Sequence, residues 1–353
     1  MSMLLNSRFS ADDRPSIELN DLQLEFIEKV KFKLSQGIYV YESVPCAICG
    51  STSLELIAEK DRYGFLMQVS ACKSCGLVQT NPRMNQSSYN QFYNTEYRAI
   101  YIGTAKPTEA FFERQRSNLG RKIHDYLTVH GNVRDWKNKF VFEVGCGAGG
   151  ILKYFQEHGA VVKGIDLGEE YLAYGRNVHH LDIQAGTLAD VVDHMEVKPD
   201  VIIYSHVMEH ILDLQGQLSL LKRIMHPDTL LYIEVPGLKY LHRSYENDLM
   251  LYLQNAHVYH FTRQTLQNLL GSAGVEVLHG DDFVRSISRY PARLPIPPVH
   301  NEYVAIIAYL RRVEWMYRTF PIPPYQWGFR LKRMVYNVLA FFRLLPALKS
   351  PTD

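Results

Sequence analysis

Apolar residues between Ser16 and Gly37 recur at helical spacing: Leu19, Leu22, Phe26, Ile27, Val30 and Leu34, with Glu and Lys between them. The pattern predicts an amphipathic helix that packs by one stripe. Ahead of it, Met1 to about Pro15 is polar and aperiodic and is expected to be unordered. Residues 84–137 carry Tyr89, Phe92, Tyr93, Tyr97, Tyr101, Phe111 and Phe112 and read as a helical linker. From Lys139 the texture changes. β-branched runs at Phe140–Val144, Val161–Ile165, Val201–Tyr204 and Leu230–Val235 alternate with helix-length segments, the signature of a parallel, doubly wound sheet. Val275–Leu278 and Glu302–Ala308 read as closing strands.

Between Met316 and Thr352 there is no acidic residue, while Arg318, Arg330, Lys332, Arg333, Arg343 and Lys349 are basic. Trp327, Leu331, Val335, Val338, Leu339 and Phe342 share one helix face, so this extension suits a membrane surface or a neighbouring subunit. No apolar run is long enough to span a bilayer and no signal peptide pattern opens the chain, so the expected compartment is the cytoplasm, with peripheral membrane contact through the extension.

A chain of 353 residues, 46% hydrophobic and 21% charged, has room for two or three compact units. Its 38 Lys plus Arg against 37 Asp plus Glu give a net charge of +1, which argues against a nucleic-acid partner. Among five cysteines, four form two pairs, Cys46-Ala-Ile-Cys49-Gly50 and Cys72-Lys-Ser-Cys75-Gly76. Two intervening residues let both thiolates reach one ion, and the glycine permits the turn after each pair. Four thiolates leave no open position, so a zinc held there is structural; a redox pair is the rival and fits two matching knuckles poorly.

Phe140-Val-Phe-Glu143-Val-Gly145-Cys-Gly147-Ala-Gly149-Gly150 runs a strand into a glycine-rich turn and then a helix. Bare backbone there lets a ligand approach closely, and Asp166, at the end of the next strand, can take both ribose hydroxyls of an adenosine-containing cofactor. Gly145, Gly147 and Gly150 also satisfy the dinucleotide pattern, which keeps a nicotinamide enzyme open as an alternative. Glu143 tips the choice, because a carboxylate attracts an ammonium-bearing ligand and repels a pyrophosphate.

The stretch Glu143-Val-Gly145-Cys-Gly147-Ala-Gly149 resembles the first motif of class I S-adenosylmethionine-dependent methyltransferases. Asp166 is similar to their ribose-binding acid, Gly186-Thr-Leu188-Ala-Asp190 to the segment flanking the adenine, Asp200–His210 to the fourth strand and its turn, and Ile233–Gly237 to the end of the fifth strand. The paired knuckles, ending Cys75-Gly-Leu-Val-Gln-Thr-Asn-Pro82-Arg83, and the tyrosine-rich stretch after them resemble the sugar C-methyltransferase group and its polysaccharide-biosynthesis relatives. That group carries Tyr-x-Glu-His after the fifth strand; here Gln254 and Ala256 replace the tyrosine and glutamate, and His257 keeps the histidine.

The resemblance implies a seven-stranded, mostly parallel Rossmann-like α/β sheet with an N-terminal zinc module and helical additions. It implies methyl transfer to a small, saccharide or sugar-nucleotide acceptor. Glu143, Gly145, Gly147 and Gly149 would hold the methionine portion of the cofactor, Asp166 the ribose and Leu188 the adenine, with Leu167 also at the cofactor and His206 beside the methionine end. His257 is the expected general base, since it lies in the irregular segment after the fifth strand; capping of the next helix is the plainer alternative. His206 and His210 share a helix face and could hold a metal, but no third ligand is evident nearby; structural hydrogen bonding is the expectation for His210. Tyr89, Tyr93 and Tyr97 could line the acceptor pocket. The expected layout is 1–44 tail and amphipathic helix, 45–83 zinc module, 84–137 substrate cover, 138–312 methyltransferase domain and 313–353 basic extension. An RNA methyltransferase with a zinc finger, and a scaffold that binds the cofactor without turnover, are the competing functions.

Overall fold

Short runs of aliphatic and aromatic residues, buried on both faces in its three middle strands, make the central sheet of this computed structural model, which describes residues 4–103, 107–291 and 296–319. Its strands are β1 (Phe140–Val144), β2 (Val161–Asp166), β3 (Ile183–Ala185), β4 (Val201–Ser205), β5 (Leu230–Glu234), β6 (Glu276–Gly280) and β7 (Arg285–Arg289). Their spatial order is β6-β7-β5-β4-β1-β2-β3. β1 to β5 pair in parallel, and β7 is antiparallel to both of its neighbours. The cause of that reversal is local. Only residues 281–284 separate β6 from β7, too few for the crossover a parallel pair needs.

The chain leaves β1 toward β2 and β3 and then returns to β4 on the other side of β1. The carboxyl ends of β1 and β4 therefore flank a topological switch point, where open α/β sheets bind their ligands. Two of the seven strands had no clear signal in the sequence: β3 has three residues, and β7, Arg-Ser-Ile-Ser-Arg, has one apolar side chain.

The segment expected as a closing strand at Glu302–Ala308 is instead the start of a helix, Tyr303–Thr319. Ile306, Ile307, Leu310 and Val313 recur at helical spacing and are buried against Ile57, Met67, Val69 and Leu249. Packing of that stripe outweighs the β-branched content.

The segment with the cysteine pairs forms a small antiparallel sheet, Leu54–Lys60, Leu66–Cys72 and Val78–Thr80. Its fourth strand comes from far along the chain: Tyr259 and His260 pair with Gln79 and Val78. The small sheet thus grips the segment that follows β5. A second link is Asp61, fully buried, whose carboxylate accepts from the amides of Tyr63, Phe65 and Asn255, each at 2.9 Å.

The amphipathic helix runs from Asp21 to Ser35, starting later than the apolar pattern because Asn20 and Gln23 form a reciprocal capping box. The N-terminal tail corrects the expectation of disorder from residue 4 onward. Phe9 is fully buried, and Arg8 donates to Asp248 at 2.8 Å and to Glu314 at 2.7 Å. Residues 84–137 are largely helical, with segments at Gln86–Thr95, Tyr97–Ile102, Glu109–Arg114 and Arg121–His130. Among the described residues, no helix is long and apolar enough to cross a membrane. The apolar face from Trp327 to Phe342 lies outside the described residues.

Candidate functional site

Gly145, Gly147 and Gly149 all take positive φ, at 75°, 56° and 81°, but for different reasons. A Cβ on Gly145 would clash with Val207 Cγ2, and one on Gly149 would meet Leu181 Cδ1 at 2.6 Å. These two glycines let the loop pack onto its neighbours. Gly147 faces open space, with nothing within 4 Å of such a Cβ, so it is the point where a ligand can lie on bare backbone.

A cavity of about 530 Å³ opens beside this loop, lined by Gly145, Asp166, Leu167, Leu188 and His206 among others. Its far side includes Tyr89, Tyr93 and His210. Tyr97 stacks on Tyr93 with ring centroids 4.3 Å apart but is not on the wall. Gln86, Asn90, Asp213 and Gln217 also line it, and no periodicity or motif singled them out. A further hollow of similar volume, about 540 Å³, lies over Phe140, Phe142 and Lys163, away from the glycine loop.

Asp166 sits at the end of β2 with both oxygens engaged. Gly147 N donates to Oδ2 at 2.9 Å, and Gly168 N and Arg98 Nη2 donate to Oδ1 at 2.7 and 2.8 Å. The guanidinium of Arg98 also lies over the ring of Tyr171, 4.0 Å from its centre. No local pattern marks Arg98 in the sequence, because it reaches Asp166 from a helix 68 residues earlier.

Glu143 is 1% exposed, and its Oε2 has no hydrogen-bond partner among the described residues. Burial, and then the nearby charge of Asp166, push its carboxyl well above the usual range. It lies under the loop, not on the cavity wall. A buried, unpartnered oxygen below an open glycine fits an ammonium-bearing ligand in character.

His257, expected as the base, is displaced from that wall. It is 5% exposed and stands behind His210, with ring centroids 4.8 Å apart. Its Nε2 touches the Gln254 amide and its Nδ1 has no hydrogen-bond partner among the described residues. Burial first, then the neighbouring imidazoles, hold it well below the usual histidine range. Nor does it cap the next helix: Thr262 does, donating and accepting with Thr265. His206, at φ 57°, and His210 are the imidazoles that line the cavity.

The four cysteines of the knuckles converge. Cys46 Sγ lies 3.4 Å from Cys75 Sγ, and Cys49 Sγ 3.5 Å from Cys72 Sγ. All four sulfurs lie within 4.8 Å of one another. Sulfurs around a tetrahedral zinc at about 2.3 Å stand about 3.8 Å apart, so the donor set fits that ion. Cys146, the fifth, is buried against Gly164 and belongs to the packing of the loop.

Residues 112–280 match a protein family described as "Methyltransferase domain". Among curated proteins, the chain is 34% identical over 97 residues to the ubiquinone biosynthesis O-methyltransferase of Vibrio atlanticus (strain LGP32), covering 25% of this chain and 40% of that protein. It is 33% identical over 124 residues to the enzyme of the same description from Pseudomonas fluorescens (strain Pf0-1), covering 32% and 52%. The chain thus spans about half or less of the length of these relatives. A solved SAM-dependent methyltransferase from Archaeoglobus fulgidus aligns over 60% of this chain and 94% of its own, at 18% identity and a TM-score of 0.37. By that match residues 112–280 are a methyltransferase domain, and the sheet carrying it is the mostly parallel seven-stranded α/β type.

Proposed function

We propose that this chain transfers a methyl group from S-adenosylmethionine to a hydroxyl of a small, saccharide-type acceptor. One observation carries the reading: Gly145 of the glycine loop, Asp166 at the tip of β2, Leu188 and His206 border one cavity that Tyr89, Tyr93 and His210 also line. When bound, S-adenosylmethionine supplies an electrophilic methyl on a sulfonium. Asp166 would hold the ribose hydroxyls, Leu167 and Leu188 the adenine side, and Glu143 with the glycine loop the methionine ammonium. The tyrosine-bearing helix Gln86–Thr95 would close over the acceptor and exclude water, so that positioning does much of the work.

The saccharide class rests on the resemblance of the knuckles and the tyrosine-rich stretch. Oxygen as the atom methylated is favoured by the curated relatives, which are described as O-methyltransferases. The four cysteines would hold one structural zinc, and through the shared sheet that ion would fix the segment from Gln254 to His260. The basic extension after residue 313 would touch anionic membrane surfaces, which sedimentation of the full chain with anionic liposomes, and its loss on deletion after Tyr325, would test.

Calorimetric titration with S-adenosylhomocysteine, followed by a screen of nucleotide sugars and phenolic acceptors with radiolabelled S-adenosylmethionine, tests the central reading. Tighter binding of a nicotinamide dinucleotide than of S-adenosylhomocysteine would overturn it.

A further inference from the structure

We propose that Glu209, His210 and His257 bind one divalent transition-metal ion beside the cavity. The starting observation is a buried carboxylate without a hydrogen bond among the described residues. Glu209 is 1% exposed, and neither of its oxygens has a hydrogen-bond partner among the described residues. An ionised carboxylate in that position is costly unless a cation compensates it. No lysine or arginine forms an ion pair with it among the described residues; its titratable neighbours are the imidazoles of His206, His210 and His257.

The distances suit a shared ion better than direct contact. Glu209 Oε1 lies 3.9 Å from His210 Nε2 and 3.8 Å from His257 Nε2, beyond hydrogen-bond range. Donors around a tetrahedral ion with bonds of about 2.0–2.1 Å stand about 3.4 Å apart, so the two Glu209–imidazole distances need to contract by only about 0.5 Å. One donor atom from each of the three residues falls within 4.8 Å of the others.

The tautomer of His210 is set for this use. Its Nδ1 lies 2.8 Å from the carbonyl of Ala256, so Nδ1 carries the proton and the Nε2 lone pair faces Glu209. The backbone locks the set together. Val258 N donates to the carbonyl of Glu209 at 2.8 Å, and Thr80, from the cysteine-bearing sheet, donates its hydroxyl to the carbonyl of His257 at 3.2 Å. One group stands in the way. The amide of Gln254 touches His257 Nε2, turned there by Arg62, which donates to Gln254 Oε1 at 2.8 Å. Binding needs that amide to swing aside.

Two imidazoles and one carboxylate select ions of the zinc, cobalt and iron type over magnesium, which prefers an all-oxygen shell. Three protein ligands leave a position open, as at catalytic sites. His206, whose Nδ1 is 3.6 Å from the same Glu209 oxygen, and His210 both border the cavity, so the open position faces the proposed acceptor. An acceptor hydroxyl coordinated there would release its proton to solvent, and the oxygen would then take the methyl group as the carbon–sulfur bond breaks. This use rests on the proposed methyl transfer; the ion site itself does not.

The test titrates Co²⁺ into the full chain with zinc in the four-cysteine site, read by visible absorption. The expected result is one further equivalent of cobalt with ligand-field bands and no thiolate-to-metal charge-transfer band. Glu209→Gln and His257→Ala should each weaken that binding by about tenfold or more, with S-adenosylhomocysteine affinity kept as the check on folding. Gln254→Ala should keep or tighten it. Cobalt that binds only with the charge-transfer band, or with equal affinity in both ligand variants, would overturn the proposal; in the first case the wild-type chain alone decides. Cobalt binding without any S-adenosylhomocysteine binding would count against the cofactor reading and leave the metal site standing.

Discussion

Arg98 donates to Asp166 at 2.8 Å and so occupies the carboxylate that the ribose hydroxyls of the cofactor would need. Gly147 and Gly168 hold the same carboxylate from the other side. The proposed ribose seat is therefore oriented in advance and contested at once. Replacing Arg98 by methionine removes the competitor while keeping length and packing on Tyr171. S-adenosylhomocysteine should bind about fivefold more tightly to Arg98→Met, the equivalent of about 1 kcal/mol for one partly exposed ion pair. Asp166→Ala should cost about tenfold or more, since it removes charge-assisted hydrogen bonds. Weaker binding to Arg98→Met would mean that the guanidinium swings over to hold the cofactor itself.

The two outer tests of the glycine loop should separate stability from binding. Gly149→Ala forces a Cβ to 2.6 Å from Leu181 Cδ1 at φ 81°, so it should lower unfolding stability by about 1–3 kcal/mol. Gly147→Ala meets no atom and should unfold close to wild type apart from the strain of its φ, yet lose cofactor affinity. Urea melts and calorimetry on the same two variants decide between these outcomes.

Glu143 makes the ligand-free protein sensitive to pH. Its folded carboxyl holds a proton to higher pH than in the unfolded chain, where the ordinary value is about 4.3. Within that window the folded state binds more protons, so stability is fully present at acid pH and falls as pH rises. Glu143→Gln removes the titration and should flatten the slope, melting about 2–4 °C above wild type at pH 8, as about 1 kcal/mol does in a domain of this size. Equal melting curves for the two proteins from pH 5 to 8 would contradict the argument.

Cys72→Ser should act at a distance. The variant should lose most of a zinc content of about one ion per chain, and with it the order of the sheet that Tyr259 and His260 complete. Turnover should fall much further than S-adenosylhomocysteine affinity, because the glycine loop and Asp166 belong to the other sheet. Metal analysis, calorimetry and a rate assay on one preparation would show the split, and parallel loss of both functions would argue for global unfolding.

The sequence by itself carried the local features: the β1 turn with its glycines, Asp166 at the tip of β2, the paired knuckles, and four of the parallel strands. These depend on residue type and on spacing within about twenty positions, where periodicity and backbone conformation are decided. It misread Glu302–Ala308, where the choice between strand and helix turned on the buried stripe that Ile306, Leu310 and Val313 find against the small sheet. It also placed His257 at the acceptor, because a position after the fifth strand says that a residue is near the crevice and not which way it faces. Only the tertiary structure set Arg98 on Asp166, buried Glu209 among His206, His210 and His257, and tied Tyr259 to Gln79. Those contacts join residues tens to hundreds of positions apart, and packing of whole sheets and helices, with no local preference to announce it, brings them together.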